Sequence, residues 1–416
     1  MRNAAGIGAV ALLLVGALGT IGAVWVDERS PRPGRASAVE SLRGGGPTPC
    51  SEPPSGNRRP PGAGGLVEDV ARFRACRAPA LGVQDDHLPT VPLGRLATRL
   101  DLIRASGARV TRADVFWSRV APTEPADPGN PADPAYRWAR VDAIVAGLRS
   151  RDIAPLLSTY SAPAWATGRR RGRGGSPVNP DIPDARAFAG FMQALARRYS
   201  GSYRPAGARA PLPAVAHFEL WNEPNRKLFL RPQGRALGAY VAMVRAAYPA
   251  LKSVRPDATV IVGALGSGSN ARRWRDALRA ADVPLDAFSH HLYPRVPPLR
   301  ATPIYPSWDS LPELVRALRR WRPGLRLYIT EAGYSTRPTR FRPPGSAVSE
   351  REQAAYLADI LAVPLVRRGE VAAVIWFNLQ DNADWPTGLL RESGAPKPAF
   401  TAFADLAAAR HGAGLP

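Results

Sequence analysis

The sequence predicts an α/β fold, a (β/α)8 TIM barrel over residues 78–416, preceded by an export segment and a Pro/Gly-rich linker. From residue 78 onward, short apolar runs alternate with segments of helical period. Eight such strand–helix units follow one another, which implies a parallel sheet that closes into a barrel. A doubly wound open sheet is the competing fold, but no G-x-G-x-x-G sequence opens a first helix.

Each predicted strand is a short run rich in β-branched and other apolar residues, and each predicted helix repeats apolar residues at helical spacing. The predicted strands are 80–84, 109–115, 153–160, 215–221, 259–265, 285–291, 325–331 and 371–379. The predicted helices lie at about 91–106, 138–151, 184–199, 234–254, 271–281, 309–321, 350–368 and 398–410.

The amino-terminal segment, residues 1–29, carries an export signal. Arg2 precedes an uncharged run over 3–26, and Asp27, Glu28 and Arg29 end it. That run is longer than the roughly 7–15 residues of a signal-peptide core and close to the ~20 that span a bilayer. We therefore expect a signal peptide or an N-terminal membrane anchor, and an extracellular or cell-envelope location.

Residues 30–77 are rich in Pro, Gly, Arg and Ser and have no periodic apolar pattern, which predicts a flexible linker. Its two cysteines, Cys50 and Cys76, are the chain's only ones. In an oxidising compartment they could form a disulfide, and the alternative is two unrelated thiols.

The formal charge of +22 comes almost entirely from arginine, since Lys227, Lys252 and Lys397 are the only lysines. These arginines are scattered through every segment instead of clustering on one helix, so we expect no nucleic-acid partner. No Cys/His cluster has metal-ligand spacing, so we expect no metal. We also expect no cofactor and a monomer.

Two carboxylates lie at predicted strand ends. The fourth strand runs into Asn222 and Glu223, and Pro224 stops it there; the seventh ends at Glu331. The carboxyl ends of barrel strands share one face, so these two acids should meet across the cavity. Paired acids of this kind suit cleavage of a glycosidic bond: one protonates the leaving oxygen and the other attacks or activates water. The expected partner is a carbohydrate.

Other strand ends offer supporting residues. Arg112 shares a strand face with Asp114 and could keep a neighbouring carboxylate ionised. His291 and Tyr293 follow the sixth strand and could bond a sugar or orient a carboxylate. Aromatic platforms for a sugar ring are expected from two tryptophans, Trp376 in the eighth strand and Trp165 after the third.

Several polar residues near these ends have structural interpretations. We expect Glu219, one layer deeper than Glu223, to be the buried partner of an arginine, and Asp114 to act similarly. His290 is expected to be a polar residue satisfied within the fold. The arginine-rich run 168–175 is interpreted as a mobile loop that could favour anionic sugars if it covers the cleft.

The stretches HFELWNEPN and LYITEAGYS, with TRADVFWSRVAP and FSHHLYP, resemble the clan A retaining glycoside hydrolases. They are most similar to glycoside hydrolase family 39 and to neighbouring family 5 (cellulase-type) sequences. The resemblance implies Glu223 as the acid/base, Glu331 as the nucleophile and Asn222 as the residue that binds the sugar 2-hydroxyl. It assigns supporting roles to Arg112, His291, Tyr293 and Trp376.

The resemblance implies double displacement with retention, which requires carboxyl groups roughly 5–5.5 Å apart. Family 39 xylosidases commonly carry an accessory β-sandwich, whereas this chain ends soon after its eighth unit, which leaves room for a compact endo-acting enzyme. Two alternatives stay open: a transglycosylase that remodels envelope polysaccharide, and a non-catalytic glycan-binding barrel.

Overall fold

The computed structural model describes residues 79–168, 178–298, 300–341, 345–363 and 370–412. Eight parallel strands form a closed barrel in sequence order, each paired with its neighbour and the last with the first. The strands are β1 Ala80–Gln84, β2 Val110–Phe116, β3 Ala154–Tyr160, β4 His217–Leu220, β5 Thr259–Gly266, β6 Ala287–Leu292, β7 Arg326–Ala332 and β8 Val371–Phe377.

A helix follows every strand, as the sequence predicts. The helices are α1 Leu93–Ala105, α2 Ala139–Arg149, α3 Ala185–Arg198, α4 Gln233–Lys252, α5 Ala271–Ala280, α6 Leu311–Trp321, α7 Glu350–Ala362 and α8 Pro398–Gly412. Side-chain caps fix the first residues of two helices. Ser349 and Glu352 form a reciprocal capping box at the start of α7, and the carboxylate of Asp184 accepts hydrogen bonds from two backbone N–H groups at the start of α3. The predicted (β/α)8 fold is confirmed.

Most element ends differ by one or two residues from the sequence prediction. Strand β4 stops at Leu220, one residue early, because the backbone of Trp221 turns into the left-handed region with φ 73°. Helix α7 ends at Ala362, whereas the sequence pattern continues to 368; residues 364–369 lie outside the described part.

The barrel interior is layered. An apolar layer closes its amino-terminal end, formed by residues such as Val110, Leu156, Ile261, Tyr328 and Ile375. Alternation along the strands then turns polar side chains inward in the next layer, namely Gln84, Arg112, Ser158, Glu219 and Ser289. The sheet's outer face packs against the helices in a much larger apolar core. The polar layer therefore lies directly beneath the carboxyl ends of the strands.

Several sequence predictions fall outside the described residues: the export segment 1–29, the linker 30–77 with Cys50 and Cys76, and most of the arginine-rich run 168–175. Within the described residues, no helix is long and apolar enough to cross a membrane.

Candidate active site

Arg112 organises the base of the site from the middle of β2. Its side chain is buried, and its guanidinium donates hydrogen bonds of 2.7–3.3 Å to groups from six positions of the barrel wall. The acceptors are Gln84, Asp114, Ser158, Glu219, Asn222 and Glu331. One buried cation therefore holds the side chains of β1, β2, β3, β4 and β7 in register.

Glu219 is the deepest partner of Arg112, as its sequence position predicts. Its Oε2 accepts from Nε of Arg112 at 2.7 Å, and its Oε1 accepts from the hydroxyl of Ser289 at 2.7 Å. Burial alone would raise the pKa of Glu219, but Arg112 outweighs it and holds that pKa below its ordinary value. Glu219 is thus an ionised support that lies beneath the opening.

Glu223 reaches the opening through a backbone turn at the end of β4. Both Trp221, at φ 73°, and Glu223, at φ 37°, adopt left-handed conformations that are unfavourable for residues with a side chain. The amide of Glu223 donates to the carbonyl of Ala264 on β5 at 3.0 Å, which holds the turn. Backbone strain is therefore concentrated where the carboxylate is presented.

Asn225 and Gly266 complete that turn. The amide side chain of Asn225 bonds both the N–H and the carbonyl of Gly266, at 2.9 and 2.8 Å. A Cβ at position 266 would lie 2.6 Å from Oε1 of Glu223, so only glycine leaves room for this carboxylate. The last residue of the HFELWNEPN stretch therefore locks β4 to β5, a role that the sequence did not reveal.

Glu331 faces inward because β7 contains an irregularity. Opposite β7, residue His290 pairs with Ile329 and His291 pairs with Glu331, so Thr330 is skipped. Tyr328 points into the barrel, and strict alternation would turn Thr330 inward and Glu331 outward. The extra residue reverses the alternation and directs Glu331 into the cavity.

His291 lies between the two carboxylates. Its Nδ1 is 3.1 Å from Oε1 of Glu223 and 3.3 Å from Oε2 of Glu331. Tyr293 donates its hydroxyl to the same Oε2 of Glu331 at 2.6 Å. The Glu223, His291 and Glu331 polar atoms lie within 4.8 Å of one another, so among the described residues this group could also hold a divalent metal ion.

The protonation of these three groups is linked. Burial raises the pKa of Glu331 above its ordinary value, although His291 and Arg112 oppose the shift. Burial acts on Glu223 as well, but the hydrogen bond and charge of His291 hold its pKa below its ordinary value. Burial would lower the pKa of His291, and the two carboxylates raise it instead. Because Nδ1 of His291 contacts both carboxylates, Glu223, His291 and Glu331 titrate as one coupled group.

No protein-family model and no curated protein matches the chain. A glucosidase from Croceicoccus marinus superimposes with a TM-score of 0.59 at 20% identity, covering 80% of this chain and 67% of that one. A family 39 glycoside hydrolase from Bacteroides cellulosilyticus gives a TM-score of 0.54 at 25% identity, covering 79% and 64%. The chain is structurally similar to family 39 glycoside hydrolases.

A monomeric β-xylosidase from Caulobacter crescentus is a further relative, with a TM-score of 0.57 at 20% identity over 80% of this chain and 70% of that one. The chain spans about two thirds of the length of these three structures. The resemblance stated from the sequence motifs is thus confirmed in structure.

Trp376 does not line the opening of this family 39-like barrel. Its side chain is fully buried in the apolar core around the barrel, and its indole N–H donates to the carbonyl of Thr387 at 2.8 Å. Alternation along β8 turns it outward toward the helices, so the prediction of a sugar platform is wrong. Trp165 is half-buried; it packs edge-on against Trp117 and donates to the carbonyl of Ala121. It makes no contact with the carboxylate pair.

The aromatic surface beside Glu331 comes from residues that the sequence analysis missed. Half-buried Trp385, in the loop after β8, stacks on Phe341 with ring centroids 5.5 Å apart. Its ring also contacts Tyr293 at 5.4 Å and Phe377 at 5.7 Å. Through Tyr293 this cluster adjoins the carboxylate of Glu331. The signal in the sequence was the DNADWP loop after the eighth strand, which carries an aromatic residue at the rim.

Asp86, two residues after the end of β1, is a second residue that the sequence analysis missed. Burial raises its pKa well above the ordinary value, and the charges of Asp114 and Glu331 add to the shift. It accepts hydrogen bonds from Gln84 at 3.1 Å and Asn382 at 3.4 Å. A carboxyl group can hydrogen-bond a sugar hydroxyl in either protonation state, which makes Asp86 a candidate contact for the substrate.

The two adjacent histidines should show opposite pH dependence of stability. The raised pKa of His291 means that its contribution is complete below pH 6.5 and is lost as pH rises through the raised value. The His291→Gln variant should be less stable than the wild type at pH 6.5 and below. Above pH 6.5 the difference in unfolding free energy between the two proteins should decrease, by up to about 1.4 kcal/mol per pH unit. Urea unfolding from about pH 5 to pH 9 measures this difference.

His290 is the matched control, because burial lowers its pKa well below the ordinary value. Its contribution is present above pH 6.5 and is lost as pH falls, so the effect of His290→Gln should shrink toward acid pH. Parallel pH dependence for the two variants would contradict the assignment of the shared proton to His291.

Proposed function

We propose that the chain is an exported retaining glycoside hydrolase that cleaves O-glycosidic bonds of an oligo- or polysaccharide. The observation that carries this proposal is the pair of carboxylates at the barrel mouth, whose nearest oxygens lie within 4.8 Å. Retaining glycosidases hold their two acids roughly 5–5.5 Å apart, and inverting enzymes roughly 6.5–9.5 Å. The spacing favours direct attack on the sugar over activation of a water between the two acids.

Glu331 is suited to be the nucleophile because two donors fix its carboxylate. Arg112 donates to Oε1 at 2.8 Å and Tyr293 to Oε2 at 2.6 Å. Both bonds favour the charged form and hold the carboxylate in one orientation. Positive charge that develops at the anomeric carbon in the transition state stabilises ionised Glu331 further.

Glu223 would then act as the general acid, and its proton would come from His291. In the free site, burial raises the pKa of Glu331 while His291 holds the pKa of Glu223 low, so a proton is favoured on Glu331 over Glu223. Nδ1 of His291 contacts both carboxylates, so it can give its proton to Glu223 and then, as a free lone pair, take the proton of Glu331. Substrate binding beside Glu331 would therefore drive one proton through Nδ1 to Glu223, which releases the leaving oxygen.

The second step uses the same residues in reverse. Once Glu331 is esterified to the sugar it carries no charge, which removes a repulsion that favours the protonated form of Glu223. Glu223 then accepts a proton from water, and the water attacks the anomeric carbon and frees Glu331. The substrate stays in place through Asn222, whose Oδ1 is held by Arg112 at 2.7 Å, so that its amide N–H can donate to a sugar hydroxyl. Trp385 supplies an apolar platform for the ring.

The location and the partners belong to the same proposal. The uncharged run over 3–26 supports export to the envelope or beyond, as a secreted or anchored chain. Carbohydrate is the proposed partner; we propose no nucleic-acid partner and a monomeric state. Product analysis with an acceptor sugar present separates hydrolysis from transglycosylation, since a transglycosylase would give elongated products.

The test is a screen of the full-length chain against aryl glycosides and polysaccharides, with the anomeric form of the first product followed by NMR. We expect release from at least one class, with the configuration retained. An inverted first product would contradict the two-step mechanism. Release from none of the substrates would favour a glycan-binding barrel.

Glu223→Ala should slow substrates according to their leaving groups. An aryl leaving group of low pKa needs little protonation, so its release should fall by less than about tenfold. An alkyl or sugar leaving group should slow by roughly 10²–10⁴-fold, the usual contribution of general acid catalysis. The values of kcat/KM on a series of aryl glycosides measure the dependence, because this parameter reports the first step and not the later one in which Glu223 is the base. Equal losses across the series would remove Glu223 as the acid.

A further inference from the structure

A second cavity opens at the carboxyl-terminal half of β2, between the loop after β1 and the beginning of α2. Its volume is about 360 Å³, within the usual range for small-ligand sites. Arg119, Arg137 and Arg140 line it, with Leu93 at one side and Phe116 at the end of β2. The mechanism above uses none of these residues.

The three arginines are brought together without carboxylate partners. Arg119 donates to the carbonyl of Pro89 at 3.1 Å and lies over the ring of Phe116 at 5.2 Å. Arg140 donates to the carbonyls of Leu88 and Val91. Across the described residues, none of the three forms an ion pair with an Asp or Glu side chain. Neutral carbonyl acceptors orient the guanidinium groups of Arg119 and Arg140 and leave their positive charge uncompensated.

Asp114 is the one carboxylate in the cavity wall, and its hydrogen-bonding capacity is used inside the barrel. Its Oδ2 accepts from Tyr160 at 2.9 Å and Gln84 at 3.3 Å, and its Oδ1 accepts from Arg112 at 3.3 Å. Burial raises the pKa of Asp114, although Arg112 and Tyr160 oppose the shift. The arginines of the cavity therefore remain available to an external anion.

Asp114 also fixes the position of the cavity relative to the reacting atoms. Nη1 of Arg112 bonds Asp114 at 3.3 Å and Glu331 at 2.8 Å, so one guanidinium nitrogen bridges the cavity wall and the proposed nucleophile. Both Asp114 and Phe116 lie in the carboxyl-terminal half of β2. The cavity wall and the proposed nucleophile therefore share one hydrogen-bond donor.

We propose that the cavity is a subsite for an oxyanion, a carboxylate, sulfate or phosphate, carried by a sugar close to the one that is cleaved. This inference rests on the proposed function, and it names the substrate class as an acidic glycan. The guanidinium groups match the planar and tetrahedral oxyanions that arginine binds through paired hydrogen bonds. The formal charge of +22 would also attract such a polymer to the chain.

Leu93 allows a test that leaves the arginines intact. It is 52% exposed and begins α1, where a carboxylate is tolerated. Leu93→Glu should introduce a competing carboxylate and weaken binding of an acidic glycan at least about tenfold, whereas the uncharged Leu93→Gln should change it less than about threefold. The probes are oligogalacturonate, dextran sulfate and inorganic phosphate, with the methyl ester of oligogalacturonate and plain dextran as neutral counterparts.

Arg137→Gln and Arg149→Gln form the second pair. Both remove one exposed positive charge, but Arg149 lies at the far end of α2, outside the cavity. Calorimetry on the full-length Glu331→Gln chain, which cannot turn over the probes, should show about tenfold weaker binding of the acidic probe for Arg137→Gln and no change for Arg149→Gln.

The outcomes separate this inference from the proposed hydrolysis, because binding is measured without turnover. Preference for one acidic probe identifies the substituent that the subsite binds. If no glycoside is ever cleaved, binding of inorganic phosphate that is weakened by Leu93→Glu still supports the anion subsite. Equal losses for Arg137→Gln and Arg149→Gln would overturn the inference in favour of diffuse surface charge. Equal binding of acidic and neutral probes would overturn it as well.

Discussion

Replacement of Glu331 by Gln is expected to lower kcat by at least about 10⁴-fold, which corresponds to about 5.5 kcal/mol of activation free energy. An amide in this position cannot form the glycosyl ester, and it loses the charge that Arg112 and Tyr293 hold in place. KM should change far less, because Asn222 and the aromatic surface remain. Steady-state kinetics on the best aryl glycoside of the screen measure both parameters.

Azide rescue assigns the two acids. With Glu331→Gly, azide takes the vacant space and should give a glycosyl azide of inverted configuration. With Glu223→Gly, azide should intercept the glycosyl-enzyme and give the retained product. Glu392→Gln is a suitable control, since this side chain is 68% exposed and lies outside the site. A retained azide product from Glu331→Gly would reverse the roles of the two acids.

The sequence could predict the barrel because its eight strands are apolar and are separated by helical segments. It could not predict why Glu331 points inward. Strict alternation from Tyr328 would have turned Thr330 into the cavity, and the structure corrects the direction with one extra residue in β7. Such an irregularity depends on pairing with both neighbouring strands, which no local pattern records.

Two tryptophans also show that the direction of a side chain could not be predicted from local sequence. Trp376 lies in a strand, so its direction follows from the register of β8 against its neighbours, and that register turns it into the outer core. Trp385 lies in a loop, and its position results from stacking on Phe341 and Tyr293, residues 44 and 92 positions away in the sequence. Aromatic residues in loops were therefore the harder ones to assign, although one of them lies beside the site.

Arg112→Met should be the most destabilising of the substitutions considered. It leaves Glu219 without its cation, and removal of one member of a buried ion pair costs roughly 3–5 kcal/mol. It also removes the donors to Asn222 and Glu331, so kcat should fall with stability. Urea unfolding and kinetics on the same preparation measure the two effects. Arg99→Met is the control, since Arg99 pairs with buried Asp85 at 2.8 Å without contact to the two acids.

A second change separates the two roles of Arg112. In Arg112→Met with Glu219→Gln, the deepest of the charges left by the loss of Arg112 is removed, so we expect at least about half of the lost unfolding free energy to return. Activity should not return, because Glu331 and Asn222 still lack their donor. The same pair predicts a pH dependence, because Arg112 holds the pKa of Glu219 below 4.5. The excess in unfolding free energy of the wild type over Arg112→Met should therefore be complete above pH 4.5 and decrease as Glu219 is protonated at lower pH. A double variant that recovers activity along with stability would show that Arg112 acts on the reaction only through the fold.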